Sequence, residues 1–457
     1  MRIRFRYAAA LFLPVGLLAQ STPEMGQVLD RLQRLEDQNR ELTAEIRALR
    51  QQLAGVPATK APAPVTAEAT EATPAPASDS HLEEHVAINE QHIQDLDQAK
   101  VEAEHKLPVR LTGMLLFNAF ANGRNSGGQE FPAVASLTPS GATDGGTLRQ
   151  SVLGLKFDGP GIFAGGKVSG TLFMDFWGGS GTSLNQLVRV RVASLDFAWA
   201  NTTFSVGQDK PILAPREPTS LAQVGVSPLT GAGNLWLWAP QARVEQRFHF
   251  GEATGLRAQL GVYQTSESAN TVPAGYAQSS VRPALEGRFE LWHQFGDDRR
   301  IEIAPGFHTS DSHVEGVSVP SRAFSIDWLI RPHRIFDFTG AFFQGENTAV
   351  LGGLRQGIFF GEYDHFRPVH SIGGWGQLTL RATSRLSFNV YGGMENDRNS
   401  DLLLRSIGKN QTYAGNIMYR LGSNVVASFE ASQTRTTYVG IGVRSNPHYD
   451  LALAYLY

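Results

Sequence analysis

From Leu107 to the end of the chain, apolar and polar side chains exchange places residue by residue, in one run after another. That is the period of an extended strand with two unlike faces. The last run is the clearest: Tyr449, Leu451, Leu453, Tyr455 and Tyr457 fall on one parity, and Asp450, Ala452, Ala454 and Leu456 on the other. The apolar face has aromatics at its ends, the arrangement expected where a strand crosses lipid with tyrosines at both interfaces. Similar runs are read at 108–122, 147–158, 162–177, 187–199, 202–209, 241–250, 255–265, 284–295, 300–309, 321–331, 335–344, 370–381, 385–395, 411–421, 424–435 and 446–457, about sixteen in all. The connections alternate short (Asp158 to Gly161, Gly296 to Asp298, Arg331 to His333, Gly422-Ser423) with long (123–146, 210–240, 266–283, 345–369, 396–410). An even strand number, with short turns at one end and long loops at the other, predicts an all-β transmembrane barrel of about sixteen antiparallel strands over residues 106–457.

Upstream the period is different. Arg2, Arg4 and Arg6 precede a short apolar stretch from Ala8 to Leu18, which reads as a signal peptide over residues 1–19. Residues 20–55 carry a heptad repeat, with Met25, Leu32, Asn39, Ile46 and Leu53 at a and Val28, Leu35, Leu42 and Leu49 at d. Arg31 with Glu36 and Glu45 with Arg50 are oppositely charged g–e pairs, as a parallel homo-oligomeric coiled coil requires. Asn39 in the seam fixes register; Asn at a with Leu at d suits two strands, while Ile46 and Leu53 leave the number open. Residues 56–80, rich in Pro and Ala, read as a linker. Residues 81–105 read as a second helical segment that either continues the coil or packs under the barrel.

Composition fits this picture. Charged residues make up 18% of the chain, glycine is abundant at 47, and no apolar run reaches the length of a spanning helix. Barrels alternate, so window hydropathy averages their signal away. The net charge of −3 gives no reason to expect nucleic acid as a partner, and the absence of cysteine leaves no disulfide framework.

The strand parity assigns the two faces. Leu153, Leu155, Phe157, Val244, Phe248, Phe324, Trp328, Phe338 and Val390 point out, and so do Val188, Val190 and Val192. Asp175, Arg189, Arg191, Arg243, Glu245, Arg247, Arg288, Asp327, Arg381 and Glu430 point in. A charged lining implies water inside, and hence a channel or a plugged lumen. The most basic stretch is 189–247. Between its strands the loop 210–240 holds Lys210, Arg216 and Glu217 among many apolar residues, so it is expected to fold inward and narrow the lumen. The expected constriction is basic and prefers anions. Alternatively, its arginines are neutralised by Asp175, Asp196, Asp209 and Glu245.

Several phrases carry a resemblance: VRVRVASLDF (188–197) with FSVGQDKP (204–211), APQARVEQRF (239–248), GAFFQGEN (340–347) and VSGTLFMDF (168–176). With the order of signal peptide, coiled coil, linker and barrel, the chain resembles the DcaP-like trimeric porins of the bacterial outer membrane. The resemblance implies an outer-membrane homotrimer, N-terminal helices in the periplasm, no cofactor, and passive passage of small anions including dicarboxylates. By position it also implies that Arg189, Arg191, Gln208, Gln241 and Arg243 line the constriction.

Other classes have weaker support. Gly161 to Lys167 has the spacing of a phosphate-binding loop, but Val168 stands where magnesium binding needs Ser or Thr. His308, His313, His365 and His370 read as solvated loop histidines rather than metal ligands. A barrel hydrolase needs a nucleophile, a histidine and an orienting acid, and parity brings no such set together. A structural tether or adhesin, with the coiled coil as its working part, is the remaining alternative.

Overall fold

The computed structural model describes residues 108–179, 186–264, 278–279, 283–296, 298–361 and 365–457. The signal peptide, coiled coil, linker and second helical segment expected upstream lie outside these residues.

Sixteen strands form the wall: β1 (Val109–Asn122), β2 (Val152–Ile162), β3 (Gly166–Gly178), β4 (Leu187–Ala198), β5 (Thr202–Asp209), β6 (Ala239–His249), β7 (Thr254–Tyr263), β8 (Ala284–Gln294), β9 (Arg300–Val314), β10 (Val317–His333), β11 (Phe336–Glu346), β12 (His370–Arg381), β13 (Leu386–Asp397), β14 (Ile407–Arg420), β15 (Val425–Tyr438) and β16 (Gly442–Leu456). Each pairs antiparallel with the next, and β1 closes on β16, from Met114 opposite Leu456 to Asn122 opposite His448. Closure leaves no free edge, so every ladder hydrogen bond finds a partner within the sheet, as a spanning sheet requires.

The strands form as the alternation predicts, and they stand inside out relative to a soluble protein. Leu111, Phe248, Phe324, Val390, Leu451 and Leu453 are exposed on the outside, whereas Arg288, Glu286, Glu395 and Glu430 are among the largest fully buried side chains. Charged groups are seldom fully buried unless paired, and a broad exposed apolar surface marks a contact with lipid or another protein. Here the exposed apolar rows girdle the barrel, the form a lipid-facing belt takes.

Two expectations are corrected. The alternation of long and short connections is broken twice: β9 joins β10 through residues 315–316, and β15 joins β16 through residues 439–441. In both places the strands run on with mostly polar residues, such as Thr434 to Thr436 opposite Arg444 to Asn446, although Val314 and Val319 cluster with Ile358 and Phe366. Apolar alternation weakens there while the ladder continues, so these hairpins read as loops. The second correction lies in β4. Phe173 pairs with Val192 and Met174 with Val190, which leaves Arg191 as an extra residue in a β-bulge. Parity inverts at the bulge: Arg189 and Ser194 both face partners on the lumenal side of β3, Asp175 and Thr171 respectively. Val192 therefore takes the lumenal parity rather than the outer one.

Candidate functional site

The loop 210–238 crosses the inside of the barrel, as its apolar content predicts. Ile212 N–H donates to Glu286 on β8 at 2.7 Å, and Leu213 C=O accepts from Ser325 on β10 at 2.8 Å. Thr219 N–H donates to Gln377 on β12 (2.6 Å) and its C=O accepts from Asn416 on β14 (2.8 Å). Ser220 reaches Glu430 on β15, Leu221 C=O accepts from Asn118 on β1, and Gln150 binds Ala222, Val224 and Gly225. Irregular backbone at membrane depth requires such partners, because lipid supplies none. Leu221 and Val224 pack on Leu116, Ala452 and Ala454, where the small side chains of β16 leave room for the loop. Farther on, Gly233 sits at φ +100°, and a Cβ there would lie 2.2 Å from the Gly374 carbonyl on β12.

Most of the expected constriction residues gather where β4, β5 and β6 face this loop. Arg189 holds Asp175 with two parallel bonds (Nε–Oδ1 3.1 Å, Nη2–Oδ2 2.6 Å) and also donates to Gly225 C=O on the loop. The bulged Arg191 lies 3.8 Å from the same carboxylate. Both guanidinium groups lie over the Trp238 ring, at 5.2 and 4.8 Å. Gln208 donates to the carbonyls of Val190 and Arg191, which ties the bulge to β5, and Gln241 donates to Lys210 C=O at 2.7 Å. Arg243 pairs with Asp209 at 2.9 Å. Lys210 reaches across to Glu217 at 2.7 Å, which also accepts from Ser227. Burial pushes the Glu217 carboxyl up, but Lys210 and the Ser227 hydroxyl outweigh it and hold it below its ordinary value. Lys210, Arg189, Arg191 and Arg243 thus face Asp175, Asp209 and Glu217, and Asp196 stands level with Arg243 and accepts from Ser205, so the arc is close to charge balance. Arg247 stands farther toward the short-turn end and pairs with Glu245 at 2.8 Å.

Arg216 and Arg288 belong to a separate cluster on β8–β10. Fully buried Arg288 binds Asp327 and Glu290, both at 2.7 Å. Arg216, from the loop, binds Asp327 at 2.6 Å and also Glu302. Losing one member of a buried ion-pair network costs about 3 kcal/mol. Arg216→Ala is therefore expected to loosen the loop: denaturant stability falls by about that amount and single-channel conductance rises. Unchanged conductance and stability would mean that Arg216 does not hold the loop.

Below the loop, toward the short-turn end, lies a cavity of about 580 Å³. Its roof is the loop from Arg216 to Leu221, and its wall is the lumenal face of β11–β16. This space lies against different strands from the arc that holds the 189–247 arginines. The sequence offered no signal for it beyond parity, because it is left over by the path of the loop.

No protein-family model matches the sequence, and no curated protein matches it. Solved structures do match. The outer membrane channel DcaP of Acinetobacter baumannii superposes with a TM-score of 0.63 at 15% identity, over 76% of this chain and 97% of that one. The chain has the porin fold. An anion-selective porin from Comamonas acidovorans superposes with a TM-score of 0.51 at 10% identity, over 76% of this chain and 99% of that one.

Within this porin fold the histidines depart from expectation. His308 is buried on the lumenal face of β9 rather than solvated in a loop, with Nδ1 2.8 Å from Glu286 and Nε2 3.3 Å from the Ser310 hydroxyl. This serine–histidine–glutamate chain is a set that parity alone missed. Glu286 also accepts from Ile212 of the loop, and the Tyr263 ring lies against the imidazole, so the set anchors the loop. A hydrolase would further require an oxyanion hole and a substrate cavity beside the serine. His370 pairs with Asp401 at 2.8 Å. The Gly161 to Lys167 segment forms the hairpin between β2 and β3.

Proposed function

We propose that this chain is a DcaP-like porin of the bacterial outer membrane, a water-filled channel for passive diffusion of small hydrophilic solutes that prefers anions. The observation that carries the reading is a charged loop folded across the lumen of a closed barrel with an apolar outer face, with a chamber of about 580 Å³ beneath it. The gathering of Arg189, Arg191, Lys210 and Arg243 on one arc of the constriction supports anion preference. Solute passage calls for several weak contacts rather than one tight one. Polar Gln208 and Gln241 and the cations paired with Asp175 and Glu217 supply such contacts. Small dicarboxylates suit these arginines, whose forks can donate two bonds to one carboxylate.

The short turns then face the periplasm and the long loops the outside, following the general rule for such barrels. The heptad pattern over residues 20–55 suits self-assembly, as the trimer that the resemblance implies. Planar-bilayer recording of the purified protein tests the channel reading. Stepwise, ohmic current increments are expected. A tether or adhesin with a sealed barrel would give no current above that of the bare bilayer.

A further inference from the structure

At the arc formed by β4–β6, each cation has a carboxylate partner. The chamber below the loop is different. Arg381 at the end of β12, Arg385 in the turn that follows and Arg420 at the end of β14 all line it. Lumenal parity agrees: Arg381 continues the row of Gln377 and Thr379, Arg385 leads into Ser387 and Asn389, and Arg420 follows Met418. Arg420 N–H donates to Arg385 C=O at 2.8 Å, so the two side chains leave adjoining backbone.

The carboxylates here are too few. Asp337 accepts from both Arg331 (2.6 Å) and Arg381, so one acid serves two guanidinium groups. The chamber's other acid, Glu217, is held by Lys210 and Ser227 in the roof. Among the described residues, no carboxylate pairs with the side chain of Arg385 or Arg420, whereas Arg381 shares Asp337. Hydroxyls of Thr379, Thr383 and Ser387 line the same wall. Arg385 and Arg420 are exposed at the mouth of the chamber, and guanidinium groups without a carboxylate partner there, beside hydroxyls, attract a small oxyanion.

We propose that Arg381, Arg385 and Arg420 form an oxyanion-collecting site on the short-turn side of the channel. It would take compact anions with two or more charges, phosphate or a small di- or tricarboxylate, and give the channel a sided response to them. The inference rests on the channel reading. It adds that the larger uncompensated charge lies in the vestibule rather than at the constriction.

The test uses the full-length protein in a planar bilayer at about 0.1 M KCl, where the Debye length is near 10 Å. Inorganic phosphate, and separately succinate, is added to one chamber at a time. The wild type should be blocked at about tenfold lower concentration from one side than from the other. In the Arg385→Gln/Arg420→Gln double variant that asymmetry should disappear, with the heat-dependent gel mobility of the folded barrel unchanged as evidence that the barrel is intact. Asymmetry with phosphate alone assigns the site to inorganic oxyanions, and with succinate alone to carboxylates. Block that is symmetric in the wild type, or equally asymmetric in the variant, overturns the site. A wild type that passes no current refutes the channel itself.

Discussion

Replacing Arg189, Arg191 and Arg243 together with Gln should lower the anion-over-cation permeability ratio toward or below one. The expectation comes from the partners these residues hold. Asp175 is buried against Arg189 and Arg191, and Asp209 pairs with Arg243. Gln keeps polarity and approximate length but leaves both carboxylates uncompensated, and with Glu217 they then face Lys210 alone. A unit charge about 4 Å from a permeating ion is worth on the order of 1 kcal/mol in bulk water and 4 kcal/mol at an effective dielectric constant of 20. Three such changes carry the permeability ratio toward unity. The effect should fade near 1 M salt, where the Debye length falls to about 3 Å. An unchanged reversal potential in dilute asymmetric salt would mean that ions bypass this arc.

The second large effect concerns the outer face. Leu453 lies mid-row between Tyr449 and Tyr457 on the exposed side of β16, opposite Phe117 of β1 and Ala427 of β15. An arginine at the bilayer midplane costs about 2–4 kcal/mol on a barrel's lipid face. Leu453→Arg should therefore lose that much stability in lipid vesicles and most of its outer-membrane yield. Ser387→Arg, on the chamber wall, should do neither. Ala452 is a poorer control despite its lumenal parity, since it is packed under the loop with Leu116. Equal yields for Leu453→Arg and Ser387→Arg would show that the assigned faces are reversed.

The wall was legible because its signal is local. Each strand carries its own alternation, so strand number, closure and the two faces follow from parity. Features that depend on non-local geometry were not legible. In Val188 to Ala193 the alternation runs on unbroken, and nothing in it marks Arg191 as bulged. The residues flanking the hairpins at 315–316 and 439–441 are mostly polar, and the few apolar ones, such as Val314 and Val319, do not make an alternation that marks a strand.

The loop's inward fold could be inferred from Leu213, Leu221 and Leu235. Its route could not, because that depends on which lumenal side chains, Glu286, Gln377 and Asn416 among them, meet its backbone. The same limit applied to the basic ladder. Parity brought Arg189, Arg191, Arg243 and Asp175 to one side, but only contact distances pair Lys210 with Glu217 and assign Arg216 and Arg288 to another cluster. Arg385 and Arg420 read as ordinary turn charges until the path of the loop left a cavity beside them.

The central claim is that this barrel is a water-filled channel with a net cationic path. Its most direct test is the reversal potential of the purified wild-type protein in a planar bilayer under a dilute KCl gradient. The account predicts stable current steps and a reversal potential displaced toward the chloride equilibrium potential. No current above the bare bilayer, or a reversal potential on the potassium side, would contradict it.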